Sequence, residues 1–378
     1  MRIAFLTRSL EVGGSERQML LLARGLADRG HRVLVLSMYP GGALSSMLDG
    51  SEVSLKEMHK RGRWDLAGFL LRLQGELKRW RPEVVHSYLD VPNIISALLR
   101  PSLGGAAVVW GVRDALADLS AYDRFSRLIR WLTYPISPLA QGIILNSSAA
   151  RDLHVAKGLS QKNLAVIPNG IDVERFKFDS EGRERLRALW GIKPGELLIG
   201  LAARLDPKKD HQAFLKAAAL IKAKLPNARF VCIGGGPPDL TQQLKARASA
   251  LNLNPALIWA GEVEDMAAAF SACDIAVSAS YGESFPNTVA EAMACERPVV
   301  ATNAGDSAHL VGPLGRVIPV RDPAALAESC LQLMSLSDEE RKELGQGLRA
   351  RVVERFSVKV MMDASEAYLQ RFIHGRSN

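Results

Sequence analysis

Two glutamates, Glu283 and Glu291, flank the start of a helix-like segment in the run YGESFPNTVAEAMACERPVV, residues 281–300. Gly282 and Pro286 punctuate a loop. After Asn287, a residue type that caps helices, Val289, Ala290, Ala292, Met293 and Ala294 form a small-residue helical run. The amides of residues 287–289 should have no partner at this helix start, and the positive end of the helix dipole should face whatever lies before the loop. Phosphate suits such a place. A carboxylate repels phosphate but accepts hydrogen bonds from sugar or ribose hydroxyls, so the segment reads as a nucleotide-sugar site. An isolated pair of glutamates would be read as ordinary solvated residues. The context argues otherwise, because the apolar strand DIAVS (274–278) runs into the loop and PVVAT (298–302) follows the helix. The loop therefore sits at the carboxyl end of a strand in a βαβ unit, where open α/β sheets bind ligands.

Cations stand close by in sequence. Arg204, Lys208 and Lys209 follow the strand-like run 197–202, with Lys209 near the start of the next helix. A cation about 4 Å from a phosphate is worth roughly 4 kcal/mol at an effective dielectric near 20, before desolvation is subtracted. Stabilisation of that size on a leaving group is catalysis. Lys208, set between Asp206 and Asp210, reads as a surface cation.

Alternating strands and helices must position these groups. Strand-like Ile3–Leu6 leads into a loop ending in Gly13 and Gly14, a helical run Ser15–Asp28, a stop at Gly30 and the strand His31–Met38. Glycines at a first βα turn let backbone approach a phosphate, although the spacing is not the dinucleotide pattern GxGxxG. A helix over 64–80 and strands at Glu83–Ser87, Ala106–Val112, Gly142–Asn146 and Leu164–Pro168 continue the alternation, and the turn cluster IPNGID (167–172) marks a junction. A second series follows, with strands at Leu197–Ala202, Phe230–Gly234, Leu257–Ala260, Asp274–Ser278 and Val299–Thr302, helices near 209–224, 239–251 and 264–272, and a mostly helical tail after Asp322. The expected class is α/β, two Rossmann-like doubly wound domains facing a central cleft. Their boundaries are expected at 1–168 for an acceptor-binding domain and 169–356 for a donor-binding domain, with a terminal helix in 357–378 that could cross back to the first.

Length supports two domains: 378 residues exceed one ordinary core. No apolar run reaches the roughly 18 residues of a membrane span, and MRIAFLTRSL turns polar too soon for a signal peptide. The four cysteines lack CxxC spacing and read as buried thiols in a reducing cytoplasm. Net charge is +8, and residues 1–168 hold 22 Lys and Arg against 14 Asp and Glu, while residues 169–378 hold 26 of each. The whole excess lies in the first half. With no nucleic-acid motif present, an anionic lipid surface or an acidic substrate is the expected partner. DRFSRLIRWLTY (123–134) spaces Phe125, Leu128, Ile129 and Leu132 along one helical face and Arg124, Arg127 and Arg130 along another, a pattern suited to a membrane surface and equally to packing on its own domain. Lys56, Lys60, Arg61 and Arg63 add a basic cluster.

Four stretches together, GGSERQMLLLARGLADRGHRV, IPNGID, ARLDPKKD and GESFPNTVAEAMACERPVVAT, resemble the retaining GT-B glycosyltransferases of family 4, glycosyl transferases group 1. The resemblance spans nearly the whole chain. It implies that Glu283 binds hydroxyls of the donor sugar, Glu291 the ribose, and Arg204 and Lys209 the diphosphate. Amides of Phe285–Thr288 and Gly14 would assist, with Gly13, Asn169, Gly170, Ser284, Pro286 and Asn287 completing the donor site. It also implies a reaction without a divalent metal or other cofactor and with retained anomeric configuration. UDP is the nucleotide expected on family frequency. The acceptor would be a glycan or lipid-linked glycan of cell-surface polysaccharide synthesis, met in the cytoplasm or at the inner face of the membrane. Two positions depart from the family pattern: Arg113, in VVWGVRDA, stands where a histidine is frequent, and Tyr88 replaces the second histidine of an HSH motif, leaving His86. Arg113 cannot be a base at neutral pH and is expected to bind an anionic group, with His86 and Tyr88 as weaker acceptor candidates. Glu296 and Arg297 occupy the place of a usual glycine. A sugar-nucleotide epimerase or a hydrolase on the same fold remains the alternative.

Overall fold

The structure, a computed structural model, describes residues 1–62, 64–114 and 123–374, so Arg63 of the basic cluster lies outside the described residues. The chain divides into two compact units, one of residues 1–170 with the chain from Val358 onward, the other Ile171–Ser357.

In the first unit the order is β1 (Arg2–Thr7), α1 (Gly14–Asp28), β2 (Arg32–Ser37), β3 (Ser54–Glu57), α2 (Ala67–Trp80), β4 (Val84–Tyr88), α3 (Asp90–Leu99), β5 (Ala107–Val112), α4 (Arg124–Ile136), β6 (Gly142–Leu145), α5 (Ser148–Ala156) and β7 (Leu164–Val166). The seven strands are all parallel, in the order β3-β2-β1-β4-β5-β6-β7. Strand order reverses between β1 and β4, so Gly13 and Gly14 lie above the switch point of this sheet. Helix α2 starts at Ala67 rather than at residue 64, and β3 is a short polar edge strand that sequence periodicity did not mark.

The second unit contains α6 (Ser180–Leu189), β8 (Leu198–Ala202), α7 (His211–Lys224), β9 (Arg229–Ile233), α8 (Pro238–Ala250), β10 (Leu257–Gly261), α9 (Met266–Ala272), β11 (Ile275–Ser278), α10 (Asn287–Ala294), β12 (Val299–Thr302), α11 (Ser307–Val311), β13 (Arg316–Ile318), α12 (Pro323–Met334) and α13 (Asp338–Phe356). Its six parallel strands run β10-β9-β8-β11-β12-β13, with the switch point between β8 and β11. Two apolar layers cover the sheet: α6, α9, α10 and α13 pack on one face, α7, α8 and α12 on the other. The four cysteines are buried thiols, and burial pushes Cys273, Cys295 and Cys330 up to about 12.

The junction is held by side-chain amide pairing. The Gln18 side chain donates to Gly170 O at 2.9 Å and accepts from Gly170 N–H at 2.8 Å, and Ile171 N–H donates to Phe356 O at 2.7 Å. This clamp keeps Asn169 and Gly170 with the first unit, two residues beyond the expected boundary. Helix α14 (Val358–His374) belongs to the first unit and lies on α1, with Tyr368 accepting from Ile143 N–H at 3.0 Å.

Asp274 ties α6 to the edge of its sheet, accepting from Arg183 at 2.5 Å, Arg187 at 3.0 Å and Leu198 N–H at 2.7 Å. Burial alone would raise its carboxyl, but the two guanidiniums and the amide outweigh it and hold it below the ordinary carboxylate value. Asp274→Ala is expected to cost about 3–5 kcal/mol in chemical denaturation, since two part-buried arginines lose their counter-charge. Because the folded value is depressed, this contribution is present above the unfolded value near 3.9 and is lost as pH falls below it, which an acid titration of wild type against Asp274→Asn would show.

Glu296 turns the chain into β12 with φ of +59°, a conformation glycine adopts without strain. Glu296→Gly should therefore raise unfolding free energy by about 0.5–1 kcal/mol, read from the urea midpoint.

Candidate functional site

The two loops that leave β8 and β11 are tied at the switch point of the second unit. Tyr281 N–H donates to Lys208 O at 2.9 Å, and Lys209 Nζ lies 2.5 Å from Glu283 Oε1. Asp206 caps the turn Pro207–Lys209 at Lys208 N–H, and Asp210, with φ of +46°, caps α7 at Ala213 N–H. These caps fix the direction in which Lys209 leaves the backbone. Arg204 and Lys209 follow β8 and Glu283 follows β11, at the carboxyl edge of the second unit's sheet, with the Arg204 side chain exposed, while Glu291 lies within α10 of the same unit. Lys209 and Glu283 form an ion pair with each other, an arrangement that sequence reasoning did not anticipate.

The Glu283 loop is anchored from below. Ser284, Phe285 and Pro286 are buried, and the Phe285 ring packs against Phe356 at 5.7 Å, leaving only its backbone for a ligand. Asp306 N–H donates to Ser284 O at 2.9 Å. Gly305 has φ of +57°, and a Cβ there would stand 2.4 Å from Ser284 O and 2.6 Å from Glu283 O. Helix α10 begins at Asn287 with Pro286 in the capping position and no side-chain cap, so Asn287 is the first helical residue and not the cap. Val289 and Ala290 N–H both bond Pro286 O, so the amide of Val289 is not available as expected.

A further loop escaped sequence reasoning. Gly234–Gly236 pass under the Arg204 segment: Leu205 N–H donates to Gly235 O at 2.8 Å, and a Cβ on Gly234 would stand 2.2 Å from Ala203 O. Three consecutive glycines after an apolar strand were the available signal. His211, on α7, is buried with no partner at either ring nitrogen, and burial, aided by Lys209, lowers it to about 4, so it is neutral at physiological pH.

In the first unit Gly13 precedes α1 in extended conformation, and a Cβ there would lie 2.1 Å from Glu16 Oε2. The Glu16 carboxylate thus folds over the helix start where a phosphate was expected. Burial raises its carboxyl, against an opposing bond to its own backbone. Asn169 is buried, and Gly170 packs on Val358 and Met361 besides its bonds to Gln18. Arg113 is buried at the end of β5, donating to the Tyr88 hydroxyl at 2.8 Å with its guanidinium 4.7 Å from the Tyr88 ring centre. Its Nε and Nη1 have no hydrogen-bond partner among the described residues. His86 and Tyr88 are themselves fully buried and present no surface to a ligand. The His86 Nδ1–H donates to Val109 O at 3.0 Å, and burial lowers the ring to about 3.

In helix α4 one of the three arginines read as a solvated face, Arg130, is turned into the unit. Arg130 points inward, 7% exposed, and pairs with Asp114 at 2.5 Å and Asp90 at 2.9 Å, while His154 reaches Asp114 at 3.3 Å. Burial would raise Asp114, but bonds from His154 and Arg130 outweigh it and hold it well below the usual range. Phe125, Leu128 and Trp131 are left on the outside, Trp131 at 64% exposure, beside exposed Arg124 and Arg127.

Two parallel doubly wound sheets, with cations, carboxylates and a helix start at one switch point, define a two-domain transferase of the GT-B type. Residues 196–336 match glycosyl transferases group 1 and residues 12–175 match glycosyltransferase family 4, and the chain belongs to that family. It is 29% identical over 225 residues to the putative glycosyltransferase EpsD of Bacillus subtilis, covering 58% of each protein. It is 22% identical to the Escherichia coli UDP-Gal:alpha-D-GlcNAc-diphosphoundecaprenol alpha-1,3-galactosyltransferase, over 78% of this chain and 76% of that one. The crystal structure of Anabaena Alr3699/HepE with UDP superposes with a TM-score of 0.86 at 21% identity, covering 98% of this chain and all of that one.

Gly305→Ala should lower the thermal midpoint and speed hydrogen exchange at residues 283–290. Gly191→Ala, equally left-handed at φ +66° but with open space around its Cβ, should leave those amides unchanged. Equal exchange in the two variants would mean that Gly305 does not support the loop.

Proposed function

We propose that the protein moves a sugar from a UDP-sugar to a glycan or lipid-linked glycan, with retention and without a divalent metal, at an anionic membrane surface. The observation that carries this reading is the joining of the β8 and β11 loops through Lys209–Glu283 and Tyr281–Lys208, close in sequence to Arg204 and to helix α10 with Glu291. Arg204 and Lys209 neutralise the diphosphate, the positive end of the α10 dipole faces its oxygens, and Glu291 accepts from the ribose. Glu283 accepts from the sugar hydroxyls. Its pairing with Lys209 orients it beforehand and spares both groups part of the cost of ordering when the donor arrives. As the diphosphate leaves, charge grows on its oxygens beside the two cations, and the acceptor proton passes to the departing phosphate on the same face. The complexes of the Anabaena protein with UDP and with UDP-glucose support the choice of donor.

Arg113 serves the acceptor side. A buried guanidinium held only by Tyr88 has lost hydration without gaining a counter-charge among the described residues, and an anionic group on the acceptor would supply it. A lipid-linked acceptor agrees with the diphosphoundecaprenol substrate named for the Escherichia coli relative and with the outward apolar face of α4. Among the described residues no helix is long and apolar enough to cross a membrane, so attachment would be interfacial.

Thermal stability against nucleoside diphosphates and nucleotide sugars, in chelator, tests the donor assignment. UDP at about 100 times its dissociation constant should stabilise wild type by roughly 2.7 kcal/mol and Glu291→Ala far less. No stabilisation by any nucleotide, or equal stabilisation of both proteins, would overturn it. Radiolabelled sugar released only as free sugar when acceptor is present would count against transfer.

A further inference from the structure

A cavity of about 420 Å³ opens at the edge of the first unit's sheet, between β3, the turn after it and α2. Its charged lining is Lys56, Arg61, Arg72 and Arg79 against Glu57 and Glu76, with His59 at the rim. The carboxylates are already engaged. Glu57 accepts from Gly41 N–H at 2.7 Å, and Glu76 is shared by Lys56 and Arg79, each at 2.9 Å. Arg72 pairs with Asp65 at 2.7 Å, but the Arg61 guanidinium has no ion-pair partner among the described residues. The cavity is thus cationic, with one side chain ready to take an anion. Its lining includes one exposed aliphatic side chain, Leu71 at 69%, and Leu66 and Trp64 stand exposed before the start of α2.

A cationic hollow with an exposed leucine on its lining matches the cross-section of a phospholipid at the interface, phosphate beside the first methylenes. A soluble phosphate would use the cations and leave the leucine in water. Helices α2 and α4 both pack on the same apolar layer of the first unit, through Phe69, Leu73 and Leu77 of α2 and Tyr134 and Ile136 of α4. Their exposed apolar residues therefore rise from the same side of the sheet. We propose that this cavity holds the phosphate of an anionic phospholipid headgroup, with Arg61, Lys56 and Arg79 as its ligands and Leu71 against the acyl chain. The inference rests on the reading that the protein works at a membrane surface, not on the chemistry of sugar transfer.

Sedimentation at low salt with vesicles of phosphatidylcholine, with and without phosphatidylglycerol, tests it on the full chain. Wild type should bind only vesicles containing phosphatidylglycerol. Arg61→Glu/Arg79→Glu should lose at least about tenfold in affinity, and Leu71→Ser should weaken binding at unchanged net charge, with thermal midpoints and UDP stabilisation kept. Arg61→Gln, which breaks no ion pair, replaces the double variant if that fails to fold, and should weaken binding measurably. Trp131→Ser on α4 reports separately on membrane attachment. If Trp131→Ser weakens binding and the cavity variants do not, the membrane reading stands and the cavity is not its headgroup site. If wild type ignores all vesicles, both fall. Binding of glycerophosphoglycerol or inorganic phosphate as tight as that of vesicles, and insensitive to Leu71→Ser, would overturn the lipid assignment.

Discussion

The ion pair between Lys209 and Glu283, with the backbone bond from Tyr281 to Lys208 beside it, joins two loops that are far apart in sequence and adjacent in the sheet. Everything proposed for the second unit depends on that junction. Without it the β8 loop would carry its cations and the β11 loop its carboxylate independently, and ordering both would draw on ligand binding energy. Gly305 makes the junction possible from beneath, because only a residue without Cβ lets the next loop pass so close to the carbonyls of Glu283 and Ser284. The Gly234–Gly236 loop does the same beneath the Arg204 segment. Close backbone approach thus supports the site from two sides.

A different electrostatic constraint governs the first unit. Arg130 is drawn inward by Asp90 and Asp114, with His154 completing the cluster, and Phe125, Leu128 and Trp131 of α4 face the exterior. Turning the helix over would bury Phe125, Leu128 and Trp131 but leave two part-buried carboxylates without a cation. The cost of unpaired buried charge, several kcal/mol for each ion, exceeds what burying the same residues would recover. Arg113, one residue from Asp114, has no counter-charge of that kind among the described residues.

Local signals carried much of the architecture. The βα alternation, the two-unit division near IPNGID and the positions of strands such as Ala107–Val112 and Val299–Thr302 are visible because apolar runs and turn residues act over a few neighbours. Strand β3 was not, since Ser54–Glu57 is a short edge strand with a polar pattern, recognisable only by its pairing with β2. Residue types also drew attention to the loops after β8 and β11, where the structure pairs Lys209 with Glu283.

By itself the sequence determined the alternation of elements, the class of fold, the excess of positive charge in the first half and the residue types gathered at the β8 and β11 loops. Only the tertiary structure decided which way side chains face and which charges meet. It sent Arg130 inward and Trp131 outward, folded Glu16 over the start of α1, buried His86 and Tyr88 beneath Arg113, and paired Lys209 with Glu283. Helical and strand periods fix the spacing of side chains along an element but not its rotation about its axis. That rotation is set by packing and by ion pairs to residues remote in the chain, as between Arg130 and Asp90.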